Sequence, residues 1–93
     1  MNHAQTVEAL KALADETRLS IIRYLVKQDG PVSSCDIVAS CASFHKLSQP
    51  AMSHHFGRLV DAGIVKSDKR GTQRVYLLDL ETLSDLGIDP HKL

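Results

Sequence analysis

Three short polar side chains, Gln49, Ser53 and His54, fall within two turns' length of a helical segment, and Arg58 follows one turn later. Groups of this size and type hydrogen-bond to base edges, because they let a helix backbone come close to the floor of the major groove. Gly57 leaves space beside them. A second group, Lys66, Lys69, Arg70 and Arg74, gathers around Gly71. Cations spaced like this at a hairpin tip follow phosphates or enter the minor groove. Arg58 is placed to reach a phosphate. Catalytic chemistry has less support. Ser, His and Asp are all present, but none stands in a nucleophile-elbow or metallohydrolase pattern, so no catalytic residue and no enzyme activity are expected.

These residues need particular elements to hold them. Ser48 is a good N-cap, Pro50 suits a first helical turn, and Gly63 suits a helix end, so a helix is predicted between them. Met52, Phe56, Leu59 and Val60 recur at i, i+4, i+7 and i+8 and form its inward stripe, opposite the polar face. His55 falls between the two faces. Upstream, Val7, Leu10, Leu13 and Ala14 predict a short amphipathic helix over 5–14. Asp15 then caps a second helix whose buried stripe is Leu19, Ile22, Leu25 and Val26. Asp29-Gly30-Pro31 is expected to stop it, with Gly30 at the left-handed C′ position. Ser33 or Ser34 caps a third helix reaching about Ser43, and Phe44 to Leu47 reads as the connecting turn. Beyond Gly63, 64–69 and 73–79 read as strands around Arg70-Gly71-Thr72, with Val75 and Leu77 alternating with Tyr76 and Leu78. The tail is expected to hold one or two helical turns before Gly87 and Pro90.

The expected fold is therefore mainly α with a small β-hairpin wing (α+β), a winged helix-turn-helix. It forms one domain over 1–93, with the helix-turn-helix at about 34–63, the wing at about 64–79 and a short C-terminal tail at 80–93. A chain of 93 residues has no room for a second domain. Its net charge is zero, but the charge is unevenly distributed. From Phe44 to Tyr76 six basic residues face two acidic ones, a local +4 that leaves −4 elsewhere. Local sign governs the approach to a polyanion, so double-stranded DNA is the expected partner. No apolar run approaches the roughly 20 residues of a membrane span, and Met1 to Gln5 lacks the layout of a secretory signal. A cytoplasmic address without membrane contact is expected.

One recognition helix reads only a few base pairs, so a two-fold pair of identical chains is expected. Val7, Leu10 and Leu13 on the first helix, completed by Leu83, Leu86 and Ile88 from the tail, are the candidate dimer surface. Cys35 and Cys41 are too few for a disulfide scaffold. On one helix they would be separated by about 9 Å of rise, beyond the roughly 7 Å limit for a bridge.

The run from Leu47 to Phe56, continuing through Leu59 and Ala62-Gly63-Ile64-Val65, resembles the recognition-helix signature of the ArsR/SmtB family. Leu10 to Arg18 resembles that family's join between its first two helices, and Arg70-Gly71 with Val75-Tyr76-Leu77 resembles its wing. The match covers roughly 7–79. It implies a dimeric repressor that binds a short inverted repeat and releases it on a chemical signal. It also implies that Ser48, Gln49, Ser53 and His54 face DNA, while His55 packs at the base of the helix. Many members hold a soft metal with a Cys-x-Cys pair at the start of the third helix. Here Ser33 takes the first position and only Cys35 remains. A lone thiol cannot complete a tetrahedral site, so no metal and no cofactor are expected, and the two cysteines read as small core residues. The family's C-terminal ligand set is matched only by Asp85, Asp89 and His91, interrupted by Gly87 and Pro90. Two other readings stand beside the simple repressor. A metal- or thiol-responsive form would use Cys35 and Cys41, with His45 nearby. A winged helix serving as a protein-interaction module would need an apolar or acidic outward face on the fourth helix. The effector is not named by any residue pattern.

Overall fold

Side-chain caps decide where the helices begin. In the computed structural model, which describes residues 1–93, Asn2 Oδ1 accepts from the Gln5 amide at 2.8 Å. Gln5 Oε1 accepts from the Asn2 amide in return at 2.9 Å. This reciprocal pair starts helix α1 (His3–Leu13) two residues earlier than its apolar periodicity suggests. Asp15 caps α2 (Glu16–Val26) and Ser33 caps α3 (Ser34–Ala39). Ser48 caps α4 (Gln49–Asp61), with Pro50 in the first turn, and Asp79 caps α5 (Leu80–Asp85). Each carboxylate or hydroxyl accepts from an amide three residues on, which satisfies a donor that no helical carbonyl reaches.

The strands form one antiparallel sheet in the order β1-β3-β2, from β1 (Val32–Ser33), β2 (Val65–Arg70) and β3 (Gln73–Leu78). Arg70 pairs with Gln73 across a two-residue loop, and Gly71 has φ +64°, the pattern of a type II′ hairpin turn. Residues paired across two strands share a face. Val65, Ser67, Leu78 and Tyr76 therefore point one way, together with Lys69 and Arg74. Phe56 of α4 stacks on Tyr76 with ring centroids 4.5 Å apart, which ties the fourth helix to the wing. Gly63, at φ +78°, turns the chain from α4 into β2.

Several expectations need correction. Helix α2 ends at Val26, before Gly30, which has no positive φ; Lys27 caps the helix in a right-handed conformation instead. The segment that follows is drawn into the sheet, where Val32 pairs with Tyr76 and Ser33 with Val75. The third helix stops at Ala39, and a 3-10 turn, Ala42–Lys46, takes the place of its last residues and most of the expected loop. That tighter turn swings Phe44 into the core, where it is 2% exposed. Ile21 is fully buried while Leu19 is only half-buried. In β3 the alternation is broken: Tyr76 and Leu78 join the core and Leu77 is exposed, but Val75 is covered from the other side.

The expected dimer surface is also reduced. Leu13 and Leu83 lie inside the protomer's own core, at 6% and 0% exposure, because α1 and α5 turn these positions toward the domain rather than outward. The tail after Gly87 folds back, and its 3-10 turn, Pro90–Lys92, packs against α2. No helix is long and apolar enough to cross a membrane.

Candidate nucleic-acid interface

Helix α4 separates its two jobs by face. Met52, Phe56 and Leu59 are buried, while Gln49, Ser53, His54 and Arg58 are all exposed. Ser48 is exposed as well, but its hydroxyl accepts from the Ala51 amide at 3.2 Å, so it serves first as the cap. The outward face is polar and carries neither an apolar patch nor an acidic cluster. Arg58 lines a cleft against α1 with Glu8, Ala12, Asp61 and Ala62, so it stands on the α1 side of the helix.

The wing divides its cations between two faces. Lys69 and Arg74 pair across the strands on the side that carries Tyr76, whereas Lys66 and Arg70 project from the opposite side. All four are exposed. Arg74 Nη1 donates to Ser67 Oγ at 3.1 Å, which steadies that guanidinium beside the second strand. Asp68 Oδ1 accepts from the Lys69 amide at 2.8 Å, placing one carboxylate among the cations.

A side chain near this helix to which the sequence assigned no role is Arg18, the one buried charged residue, at 9% exposure. Its Nε donates to the Ala12 carbonyl at 2.6 Å, and its Nη1 lies 3.0 Å from His55 Nδ1. A guanidinium can only donate, so Nδ1 is the acceptor and the His55 proton resides on Nε2. Asp15 Oδ2, which caps α2 by accepting from the Arg18 amide at 2.9 Å, lies 3.8 Å from the same Nδ1. His55 thus turns inward, toward the join of α1 and α2, and not toward the polar face of its own helix. Burial holds its pKa below the ordinary 6.5; the Arg18 charge and His54 act in the same sense, and Asp15 opposes them. Burial raises the Asp15 carboxyl, but the Arg18 amide and charge, with His55, outweigh it and bring the group below 3.8. The signal for Arg18 was present, since it shares the i, i+4, i+7 stripe with Ile22 and Leu25.

Only one of the cysteines joins the core. Cys35 is exposed on α3, whereas Cys41, beyond the end of that helix, is half-buried and packs against the core; both are free. Ser43 Oγ lies 2.9 Å from Cys41 Sγ, and this hydrogen bond leads the Cys41 thiol to a pKa below 9.0. No three His, Cys, Asp or Glu side chains converge at metal-binding distance. Of the remaining candidates for a self-contact, Leu10 is 49% exposed, and Val7 and Leu86 are half-buried.

Residues 13–68 match the family described as a helix-turn-helix domain. An uncharacterized HTH-type transcriptional regulator of Methanocaldococcus jannaschii is 37% identical over 76 residues, which span 82% of this chain and 80% of that protein. An arsenical resistance operon repressor of Staphylococcus xylosus is 34% identical over 83 residues, spanning 89% of this chain and 74% of the relative. The solution structure of a homodimeric winged helix-turn-helix DNA-binding domain from Mycobacterium bovis, a possible ArsR-family regulator, superposes with a TM-score of 0.69. It shares 25% identity and covers 89% of this chain and 71% of that one.

Proposed function

This chain belongs to the ArsR/SmtB family of winged helix-turn-helix transcriptional repressors, and from that membership we propose that it represses transcription by gripping an inverted-repeat operator as a homodimer. The observation that carries the reading is the division of α4 into a buried apolar face and an exposed polar one. In this reading α4 lies in the major groove, where Gln49, Ser53 and His54 contact base edges and Ser48 and Arg58 sit near the backbone. Lys66, Lys69, Arg70 and Arg74 hold phosphates on either side of the wing, because they project from both of its faces. The Mycobacterium bovis domain is homodimeric, which supports a two-fold pair here. Leu10, flanked on α1 by half-buried Val7, is the part of the expected self-contact that stays exposed for a second copy. A regulator of this kind acts where the chromosome is, which in a bacterial cell is the cytoplasm.

No catalytic assignment competes with this one. The hydroxyls and carboxylates of Ser33, Ser48, Asp15 and Asp79 are engaged as helix caps. Selection of bound duplexes from a random 30-base-pair pool tests the proposal. Recovery of an inverted repeat with half-sites about one helical turn apart is expected. Recovery of no duplex above background would overturn it.

A further inference from the structure

We propose that neutral His55 is a positioning residue for the recognition helix: acting through Arg18, it fixes α4 against the α1–α2 join, and duplex affinity falls when its Nδ1 takes up a proton. This rests on the reading that α4 enters the major groove.

The geometry is a chain of short contacts through one buried guanidinium. Arg18 reaches back to the Ala12 carbonyl in α1 with Nε and forward to His55 in α4 with Nη1. It therefore links the last turn of α1, the first turn of α2 and the middle of α4. His55 is one residue from His54 and two from Ser53, both on the outward face, so a displacement at His55 is carried directly to the proposed base-reading groups. A misplacement of only about 1 Å is enough to degrade directional hydrogen bonds.

The same atom also makes the link conditional. Nδ1 accepts from Arg18 only while it carries no proton. Once protonated it becomes a donor, and the imidazolium stands beside a like charge. Its new acceptor is Asp15 Oδ2, 3.8 Å away, which already accepts from the Arg18 amide as the cap of α2. Protonation thus exchanges the Arg18 bond for a pull toward Asp15, which shifts His55 from its place in α4 and draws on the oxygen that starts α2. The charged and titratable groups acting on His55 are Asp15 and Arg18 from the start of α2 and His54 from its own helix. From α1 the contribution is the Ala12 carbonyl, held through Arg18. Burial and Arg18 both disfavour the charged form, so the link is intact at neutral pH.

The variant His55→Asn supplies a carbonyl acceptor near the Nδ1 position but cannot titrate. The probe is a labelled duplex recovered by the selection above, measured by fluorescence anisotropy from pH 8 to pH 5.5. Both proteins share His54 and every other titratable group, so their ratio isolates His55. At pH 8 the variant is expected to bind within about threefold of the unsubstituted protein. At pH 5.5 the unsubstituted protein is expected to have weakened by about threefold or more relative to its pH 8 ratio to the variant. A one-unit difference in the pKa of His55 between free and bound protein reaches about tenfold only at pH below both values. If the variant does not fold, nitrogen-15 resonances of the imidazole in the unsubstituted protein provide the second measurement. A bare Nδ1 at pH 8, with a titration midpoint matching the loss of affinity, supports the proposal. A proton on Nδ1 at pH 8, or affinity unchanged through that midpoint, overturns it. Superimposable affinity profiles for the two proteins overturn the proposal alone. Failure of the unsubstituted protein to bind any duplex at pH 8 overturns the functional reading and, with it, this proposal.

Discussion

Ser53 and His54 are adjacent and exposed, and neither caps a helix, unlike Ser48, whose hydroxyl is committed to one. The one further contact is the edge-on approach of the His54 ring to His55, with centroids 6.0 Å apart. Their replacement should therefore report on recognition and leave folding untouched. Ser53→Ala or His54→Ala is expected to cost about 1–3 kcal/mol on the selected operator and much less on random duplex. Competition binding against both DNAs measures this, and equal losses would make the pair backbone anchors. Arg18 lies at the other extreme, because it is buried and joins three helices. Arg18→Met should destabilise the fold by about 1.5–3 kcal/mol, the range for hydrogen bonds to a charged group. Arg18→Lys should not restore it, since an ammonium lacks the fork that serves Ala12 and His55 together. Urea unfolding checks both. The lowered pKa of His55 adds a pH dependence with a definite sign. The unfolded chain binds the proton at about 6.5 and the folded chain only at lower pH, so stability is lost as pH falls below 6.5. Asp15 acts in a separate window, since its contribution is present above 3.8 and disappears only as pH falls through its lower folded value. The urea midpoint should therefore drop between pH 7.5 and 5.5 in the unsubstituted protein and stay flat in His55→Asn. Parallel curves would remove His55 as the source.

At the level of elements, the Phe56–Tyr76 stack joins the wing to α4, while the basic tip extends beyond the core. This attachment places the tip, and exposure leaves its charges free to meet phosphates. Arg70 and Arg74 lie on opposite faces of the hairpin, so each is expected to hold a different part of the backbone. The Arg70→Ala, Arg74→Ala double variant should weaken binding to all sequences alike. The slope of log affinity against log salt should shrink by about one for each phosphate that the wing no longer holds. An unchanged slope in a salt titration would move the electrostatic anchor elsewhere, with Lys66 and Lys69 the next candidates.

Across the whole molecule, the core claims more of the apolar surface than a dimer reading of the sequence allows. Leu13 and Leu83 are enclosed within one protomer, and the tail after Gly87 returns to α2. What α1 still offers is Leu10, half exposed and flanked by Val7. Leu10→Glu should give monomers by light scattering and abolish operator binding, with the thermal unfolding transition retained because the side chain is not part of the core. A dimer that persists in this variant would place the interface on another face. Loss of the unfolding transition would instead show that Leu10 supports the fold itself.

The caps at Asp15 and Ser48, the buried stripe of α4 and the turn at Gly71 were legible because their causes are local. Ser48, Pro50 and Gly63 bound α4 by hydrogen-bond supply and backbone freedom, and the spacing of Met52, Phe56 and Leu59 sets its buried face. The polar face and the basic hairpin follow from the same spacing, so the candidate interface can be drawn from residue order alone. Long-range contacts were not legible. Val32 and Ser33 form a strand only because β3 offers an unpaired edge more than forty residues away in sequence. The 3-10 turn exists because Phe44 must reach a core assembled by other helices. Leu13 and Leu83 carry the same apolar signal whether they face a partner or the interior, and only packing chooses between these. Arg18 and His55, separated by thirty-seven residues, become a pair through the docking of α4 on the α1–α2 join. Local chemistry determined the elements and the groups they present; tertiary packing decided which of those groups remain free for another molecule and which are tied to each other.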